Sequence, residues 1–270
     1  MENDRPPTVL LTGASSGIGL EIARLLTSRG CEVWGTSRDI AKLPRLPHFH
    51  PVRMDLVVDA SIRDGFAQAQ SEAGGFDVLI NNAGSAVFGS TALMPVELER
   101  EQFQLLLHGP LALIRLALPA MRQRSSGVIV NITSLAGLFP IPYMAAYSAA
   151  KAALSVCSRC LRLELAGTPL RVVDLQPADI NTMFHSATRR VALDEDRERH
   201  EAVWEVQRRE MAAAPPPECV AEAVWRVISF ANPPPVVTVG GFFQAKFGPG
   251  VARFLPARWT DWFLRRYYRI

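Results

Sequence analysis

The sequence predicts a three-layer α/β fold: a doubly wound parallel sheet of about seven strands, followed by a helical C-terminal extension. Three features point there. Short apolar runs alternate with segments whose apolar residues recur at helical spacing. The first such run, TVLLT (8–12), leads directly through a glycine turn into a helix-period stretch. At 270 residues, 49% apolar and 20% charged, the chain suits one large folded domain better than two small ones or a disordered polymer. Residues 1–241 are expected to form that domain, with 242–270 as an extension packed on it.

In chain order, TGASSGIG (12–19) joins the first strand to the helix GLEIARLLTSRG. Gly13 suits a tight turn, Gly17 a close backbone approach to a diphosphate, and Gly19 close packing of helix on strand, with phosphates resting on amides at the helix N-terminus. Ser15, Ser16 and Ile18 complete that loop. Glycines mark any loop; their position directly after a strand makes these informative. The second strand, in CEVWGTSRD (31–39), ends where such folds choose a dinucleotide. An acid there accepts the ribose hydroxyls of NAD, and an arginine holds the 2′-phosphate of NADP. Ser37 and Arg38 predict NADP(H); Asp39, one residue on, keeps NAD(H) as the second reading.

The third strand lies in HPVRMDLVVD (50–59), a helix follows over 59–73, and FDVLINNAG (76–84) is the fourth strand with its loop. A long helix is expected over 95–124 despite Gly109 and Pro110. GVIVNIT (127–133) reads as a buried strand, 146–166 as a helix, PLRVVDLQP (169–177) as the sixth strand, 215–231 as a helix entered through prolines, and PPPVVTVGG (233–241) as the last strand.

Tyr147 and Lys151 stand four apart in SLAGLFPIPYMAAYSAAK (134–151), so one helical turn stacks them on one face. An ammonium beside a phenol favours phenolate and is expected to lower its pKa, which suits proton transfer. Ser134 follows the buried strand and should project from its C-terminal end, where open α/β sheets bind ligands.

Taken together, TGASSGIG, NNAG (81–84), Ser134, and Tyr147 with Lys151 occur in an order that resembles the short-chain dehydrogenase/reductase family, over roughly residues 8–182. It resembles the hydroxysteroid and retinol dehydrogenase-like members of that family. It implies a Rossmann-type sheet and reversible hydride transfer between nicotinamide and a carbonyl or alcohol. Tyr147 would be the general acid and base; Lys151 would hold the nicotinamide ribose, and Ser134 the substrate oxygen. Asp55 and Leu56 would meet the adenine ring, and Asn81 would brace the sheet. Asn82, Ala83 and Gly84 would lie beside the cofactor ribose, and Pro177, Ile180 and Thr182 against the nicotinamide end. Residues 183–213 would be the substrate lid. Two positions depart from the pattern. Leu106 stands where an active-site asparagine is usual, with Gln102 one turn earlier nearer the right face. Ala178 replaces a glycine and would be strained if positive φ were needed there. These departures motivate the alternative, a non-catalytic NADP(H)-binding sensor or scaffold.

Phe88, Leu135, Leu138, Phe139, Ile141, Tyr143, Met144, Met183 and Phe184 flank the motifs and suggest a lipophilic small-molecule substrate such as a steroid, retinoid or fatty acyl-derived compound, with ordinary loop packing, or a sugar or polyketide substrate, as the other readings. A net charge of +3 does not suggest nucleic acid. No signal peptide, transmembrane run or oxidising compartment is expected, so the chain reads as cytoplasmic. Cys157 and Cys160 should lie on a buried helix face rather than bind metal. The family resemblance implies a homodimer or homotetramer. In the tail, Trp259, Trp262, Phe263 and Tyr267 fall at helical spacing among Lys246, Arg253, Arg258, Arg265, Arg266 and Arg269. Such a helix either covers the substrate pocket or a subunit contact, the favoured reading, or makes peripheral membrane contact through 251–270.

Overall fold

The computed structural model describes residues 5–191, 197–241 and 256–270. Its centre is a seven-stranded sheet in the order β3-β2-β1-β4-β6-β7-β9. The strands are β1 (Thr8–Thr12), β2 (Glu32–Ser37), β3 (Phe49–Arg53), β4 (Val78–Asn81), β6 (Val128–Ile132), β7 (Arg171–Pro177) and β9 (Val236–Val239). Every pairing is parallel. β1 and β6 are buried along their whole length. Strands covered on both faces read as unbroken apolar runs, which is why they were legible.

Helices cover both faces. On one, α1 (Gly17–Ser28) packs on α8 (Glu218–Ser229), and Ile22, Leu26, Val224 and Ile228 meet Val9 and Leu11 of β1. On the other, α2 (Asp59–Ala73) and α4 (Gly109–Gln123) meet Leu10, Leu79 and Ile129 through Ile62, Phe66, Leu113 and Met121. Leu10 lies between Val9 and Leu11, so the alternation of β1 feeds both layers. The strand order reverses between β1 and β4, and the loops at that switch point open one crevice.

The expected helix at 95–124 is two helices, α3 (Val96–Phe103) and α4, joined by a π turn over Gln104–His108. Pro110 has no N–H for the carbonyl four residues back, that of Leu106, which removes one α bond beside the π turn, whereas α4 runs on through Pro119. The combined 28-residue stretch, Val96–Gln123, is apolar and long enough by composition to cross a bilayer, unlike the expectation from individual runs. Leu113, Ile114, Ala117 and Met121 instead pack against α2 and the sheet, the ordinary place of a core helix.

Sequence periodicity did not reveal a two-stranded parallel pairing of β5 (Val87–Phe88) with β8 (Arg189–Arg190). The remaining helices of this region are α5 (Ala145–Glu164), the short α6 (Phe184–Ala187) and α7 (Arg197–Ala213). The last helix, α9 (Ala257–Tyr268), packs on α7, and Tyr268 is buried beside Val203 and Val206 in a third apolar cluster that also holds Tyr147. Lys246, Arg253 and the rest of 242–255 lie outside the described residues, as do 192–196 of the expected lid.

Candidate active site

The loop after β1 is shaped by its glycines. Gly13 has φ +70°, and a Cβ there would lie 2.8 Å from the Ala83 Cα. A Cβ on Gly19 would lie 2.1 Å from the Gly13 carbonyl oxygen and 2.5 Å from the Asn82 side-chain nitrogen. Gly19 therefore closes the loop on itself and on the β4 loop. Asn82 Nδ2 donates to the Thr12 carbonyl at 2.9 Å, while Thr12 Oγ1 accepts from the Asn82 and Ala83 amides at 2.9 and 3.0 Å. Asn81 points the other way. Its Nδ2 donates to Asn131 Oδ1 at 2.8 Å, and Asn131 donates to Ser158 at 2.8 Å, a buried chain linking β4, β6 and α5.

A cavity of about 890 Å³ runs along these loops. Its wall gathers Gly13, Ser15, Ser16, Gly17, Ile18 and Gly19 with Ser37, Arg38, Asp55, Leu56, Asn82, Ala83 and Gly84 at one end. Toward the other end it brings together Ser134, Tyr147, Lys151, Pro177, Ile180 and Thr182. At the β2 end Asp39 accepts from the Ala41 amide at 3.1 Å and lies 3.8 Å from Lys42, so its carboxylate caps a short turn. Lys42 lines the cavity with Arg38. It was missed because nothing local marks a lysine four residues past the expected position.

Tyr147 and Lys151 are both buried on α5. Burial pushes the Tyr147 phenol up to about 12, opposed by a hydrogen bond with Ser134 and reinforced by the Asp179 carboxylate. Burial pushes the Lys151 ammonium down to about 8, opposed by Asp174. The expected lowering of the tyrosine by the lysine is therefore corrected. Lys151 Nζ lies 5.9 Å from the tyrosine ring centroid and donates to the Ile132 carbonyl at 2.7 Å. Removal from water outweighs the charge at that separation, and Tyr147 is a neutral O–H near pH 7. Ser134 caps the turn that follows β6. Its Oγ accepts from the Ala136 amide at 3.0 Å and reaches the Pro177 carbonyl at 3.5 Å.

Asp174, buried on β7 behind Lys151, went unnoticed in the sequence because it sits inside an apolar strand. It accepts from Thr133, from Ser155 at 2.5 Å and from Gln176 at 2.7 Å. Gln102 does not stand in for the missing asparagine: its Nε2 donates to the Ser85 carbonyl at 3.3 Å. Leu106 is fully buried in the π turn, beside Gly84. Ala178 is not strained, because positive φ among the non-glycine described residues occurs only at His48, Ser125, Tyr143 and Arg269. Gly240 makes room for it instead, since a Cβ there would lie 2.6 Å from that of Ala178.

Of the apolar residues flanking the motifs, Leu135, Phe139, Ile141, Met183 and Phe184 line the cavity. Phe88, Tyr143 and Met144 are drawn behind the wall into the cluster around His200 and Trp204, and Leu138 is exposed. α7 contributes Gln207 and Met211, and α9 contributes Thr260, Phe263, Leu264, Tyr267 and Tyr268. Cys160 is exposed rather than on a buried face, and no cluster of metal-ligating side chains occurs among the described residues.

Comparison with known proteins agrees with this fold. The family described as short chain dehydrogenase matches residues 7–192. The chain belongs to that family. It is therefore an oxidoreductase of the short-chain dehydrogenase/reductase type, whose cofactors are NAD or NADP. It is 33% identical over 274 residues to the 3-ketodihydrosphingosine reductase of Bacteroides thetaiotaomicron, covering 98% of this chain and 99% of the other. A short-chain dehydrogenase from Streptomyces avermitilis superposes with a TM-score of 0.83 at 28% identity, covering 97% of each chain. A serine dehydrogenase complexed with NADP+ superposes at 0.75 with 28% identity, covering 88% of this chain and 96% of the other. A Burkholderia phymatum dehydrogenase in complex with NAD shares the fold at 0.80 with 21% identity, covering 94% of each. The glycine cradle, which added Cβ atoms would fill, and a cavity of this volume leave room for a nicotinamide dinucleotide.

Proposed function

We propose that the protein reduces the ketone of a long-chain, lipophilic substrate with NADPH, Tyr147 acting as general acid. The observation that carries this reading is one cavity joining the glycine cradle to a buried, neutral Tyr147. The bound cofactor supplies the hydride. Tyr147 donates its proton to the carbonyl oxygen as negative charge develops there, and Ser134 donates a hydrogen bond to the same oxygen. Lys151, cationic below about pH 8, orients the cofactor ribose and returns a proton to Tyr147. Asp174 holds a negative charge behind that ammonium, while Leu106 keeps water from its α3–α4 side.

Arg38 and Lys42 at the cavity rim support NADP(H) over NAD(H); Asp39 lines the same rim, but its carboxylate caps the turn at Ala41 and faces Lys42. The substrate class rests on the apolar wall and on the name of the Bacteroides relative. Asp179 adds a detail. All three acids line the cavity, but Asp39 and Asp55 lie at the β2 and β3 ends, whereas Asp179 is near enough for its charge to act on Tyr147 and Tyr268. A carboxylate there suits an amino group beside the ketone. Val156 and Leu163, exposed on α5, suit a homodimer contact. The test is oxidation of NADPH and NADH, followed at the nicotinamide absorbance, against long-chain 2-amino-3-ketones and neutral ketones. Turnover that depends on Tyr147 and prefers NADPH is expected. NADPH binding without turnover across the panel would instead mean a sensor.

A further inference from the structure

We propose that the outer face of α9 docks the protein on an anionic lipid surface, so that a long-chain substrate enters the cavity from the lipid side. The route of entry rests on the lipophilic-substrate reading above; the docking does not. At about 100° per residue, α9 turns Leu264 and Tyr268 to one side and Trp259, Trp262 and Arg266 to the other. The inner side is anchored. Tyr268 is buried, its hydroxyl accepts from Gln207 Nε2 at 3.2 Å, and burial holds its pKa far above the ordinary tyrosine value.

The outer side is unlike a solvated helix face. Trp259, Trp262 and Phe263 are 52, 59 and 51% exposed. Arg258, Arg265, Arg266 and Arg269 are exposed among them, with Asp261 the one acid on the helix. Exposed indole rings set between arginines match a headgroup layer, where the rings enter the acyl boundary and the guanidinium groups meet anionic lipid. A second copy of the chain is disfavoured, because a two-fold contact on this face would set arginines against arginines.

The same helix is a wall of the cavity, and this joins docking to function. Phe263 is both exposed and cavity-lining, as is Met183 at 69% exposure. The cavity rim is therefore apolar on the side where α9 presents its aromatic residues, and an alkyl chain leaving the lipid could pass along Phe263 without crossing water.

The experiment uses the full chain and a Trp259→Ser/Trp262→Ser variant; neither tryptophan lines the cavity. Vesicles of phosphatidylcholine with and without phosphatidylglycerol are sedimented at low and high salt. Expected are binding to the anionic vesicles, release by salt, and binding weaker by about tenfold or more in the variant. Turnover of a short, water-soluble ketone should be unchanged, while turnover of a long-chain ketone presented in vesicles should fall about tenfold. Absence of wild-type binding at low salt would overturn the proposal, and so would undiminished binding by the variant. Loss of a dimer in the variant, with no vesicle binding by either protein, would assign the face to a second copy. Vesicle binding without turnover of any long-chain ketone would overturn the route of entry and the substrate reading together, leaving the docking.

Discussion

The two ends of the cavity are built by different means. At the dinucleotide end the contacts belong to backbone. Gly13 and Gly19 bring loops within van der Waals distance, and Thr12 and Asn82 tie the β1 and β4 loops with paired hydrogen bonds. At the end beyond Tyr147, where the proposed substrate would sit, the walls are side chains from distant segments, Met211 and Gln207 of α7 against Leu264 and Tyr268 of α9. Backbone cradles tolerate almost no added volume, so this end suits a cofactor shared across a family. A side-chain wall can be recut residue by residue, which suits a substrate peculiar to one member.

The sharpest contrast is expected at the centre, where the two ends meet. Tyr147→Phe should lower turnover by about 10²–10⁴-fold, the range for loss of a general acid, while cofactor binding followed by nicotinamide fluorescence stays nearly intact. Strong loss of binding in that variant would put the tyrosine on the wrong side of the comparison. Next is Gly19→Ala. Its Cβ would press 2.1 Å from the Gly13 carbonyl oxygen, so thermal unfolding should show destabilisation of about 1–3 kcal/mol from overpacking. Cofactor binding should fall with it. A substitution of similar size in the far wall, Met211→Leu, should leave cofactor affinity unchanged.

Asp179→Asn tests the substrate end alone. A charge-assisted hydrogen bond is worth about 1.5–3 kcal/mol, so KM for an amino ketone should rise about tenfold or more while a neutral ketone is unaffected. Equal effects on both substrates would remove Asp179 from recognition. The pH profile is a smaller effect. Burial lowers Lys151 from 10.5 to about 8, so its charge is lost as pH rises through about 8, well before an ordinary lysine would lose it. Reduction should decline along that limb, and Lys151→Arg should flatten it. Tyr147, raised to about 12, stays protonated across the same range and adds no limb. The smallest effect is expected from Arg38→Ala at the exposed cavity rim. An exposed ion pair is worth about 1 kcal/mol or less, so KM for NADPH should rise by no more than about fivefold and that for NADH should not move.

The order of strands and helices, the glycine loop, and the Tyr147–Lys151 pair were legible because each is written within a few residues. A strand buried on both faces needs an unbroken apolar run, and two side chains on one helical turn need only a spacing of four. The boundaries of the long helix were less legible, since its apolar spacing runs through the π turn over Gln104–His108 without a stop signal. The pairing of β5 with β8 was invisible, as two-residue strands carry no period. The fate of Gln102 could not be read either; its face on the helix was foreseeable, but its bond to Ser85 depends on where the β4 loop passes.

Sequence alone thus determined the fold class, the family and most of the residues that come together around one cavity, because those features depend on local backbone preference and short spacing. Only the tertiary structure decided their electrostatics and the substrate wall. Burial reversed the expected direction for Tyr147, Asp174 came to stand behind Lys151, and α9 was brought from the far end of the chain to close the cavity. Desolvation and cavity shape are properties of everything that surrounds a residue, and most of what surrounds Tyr147 is distant from it in sequence.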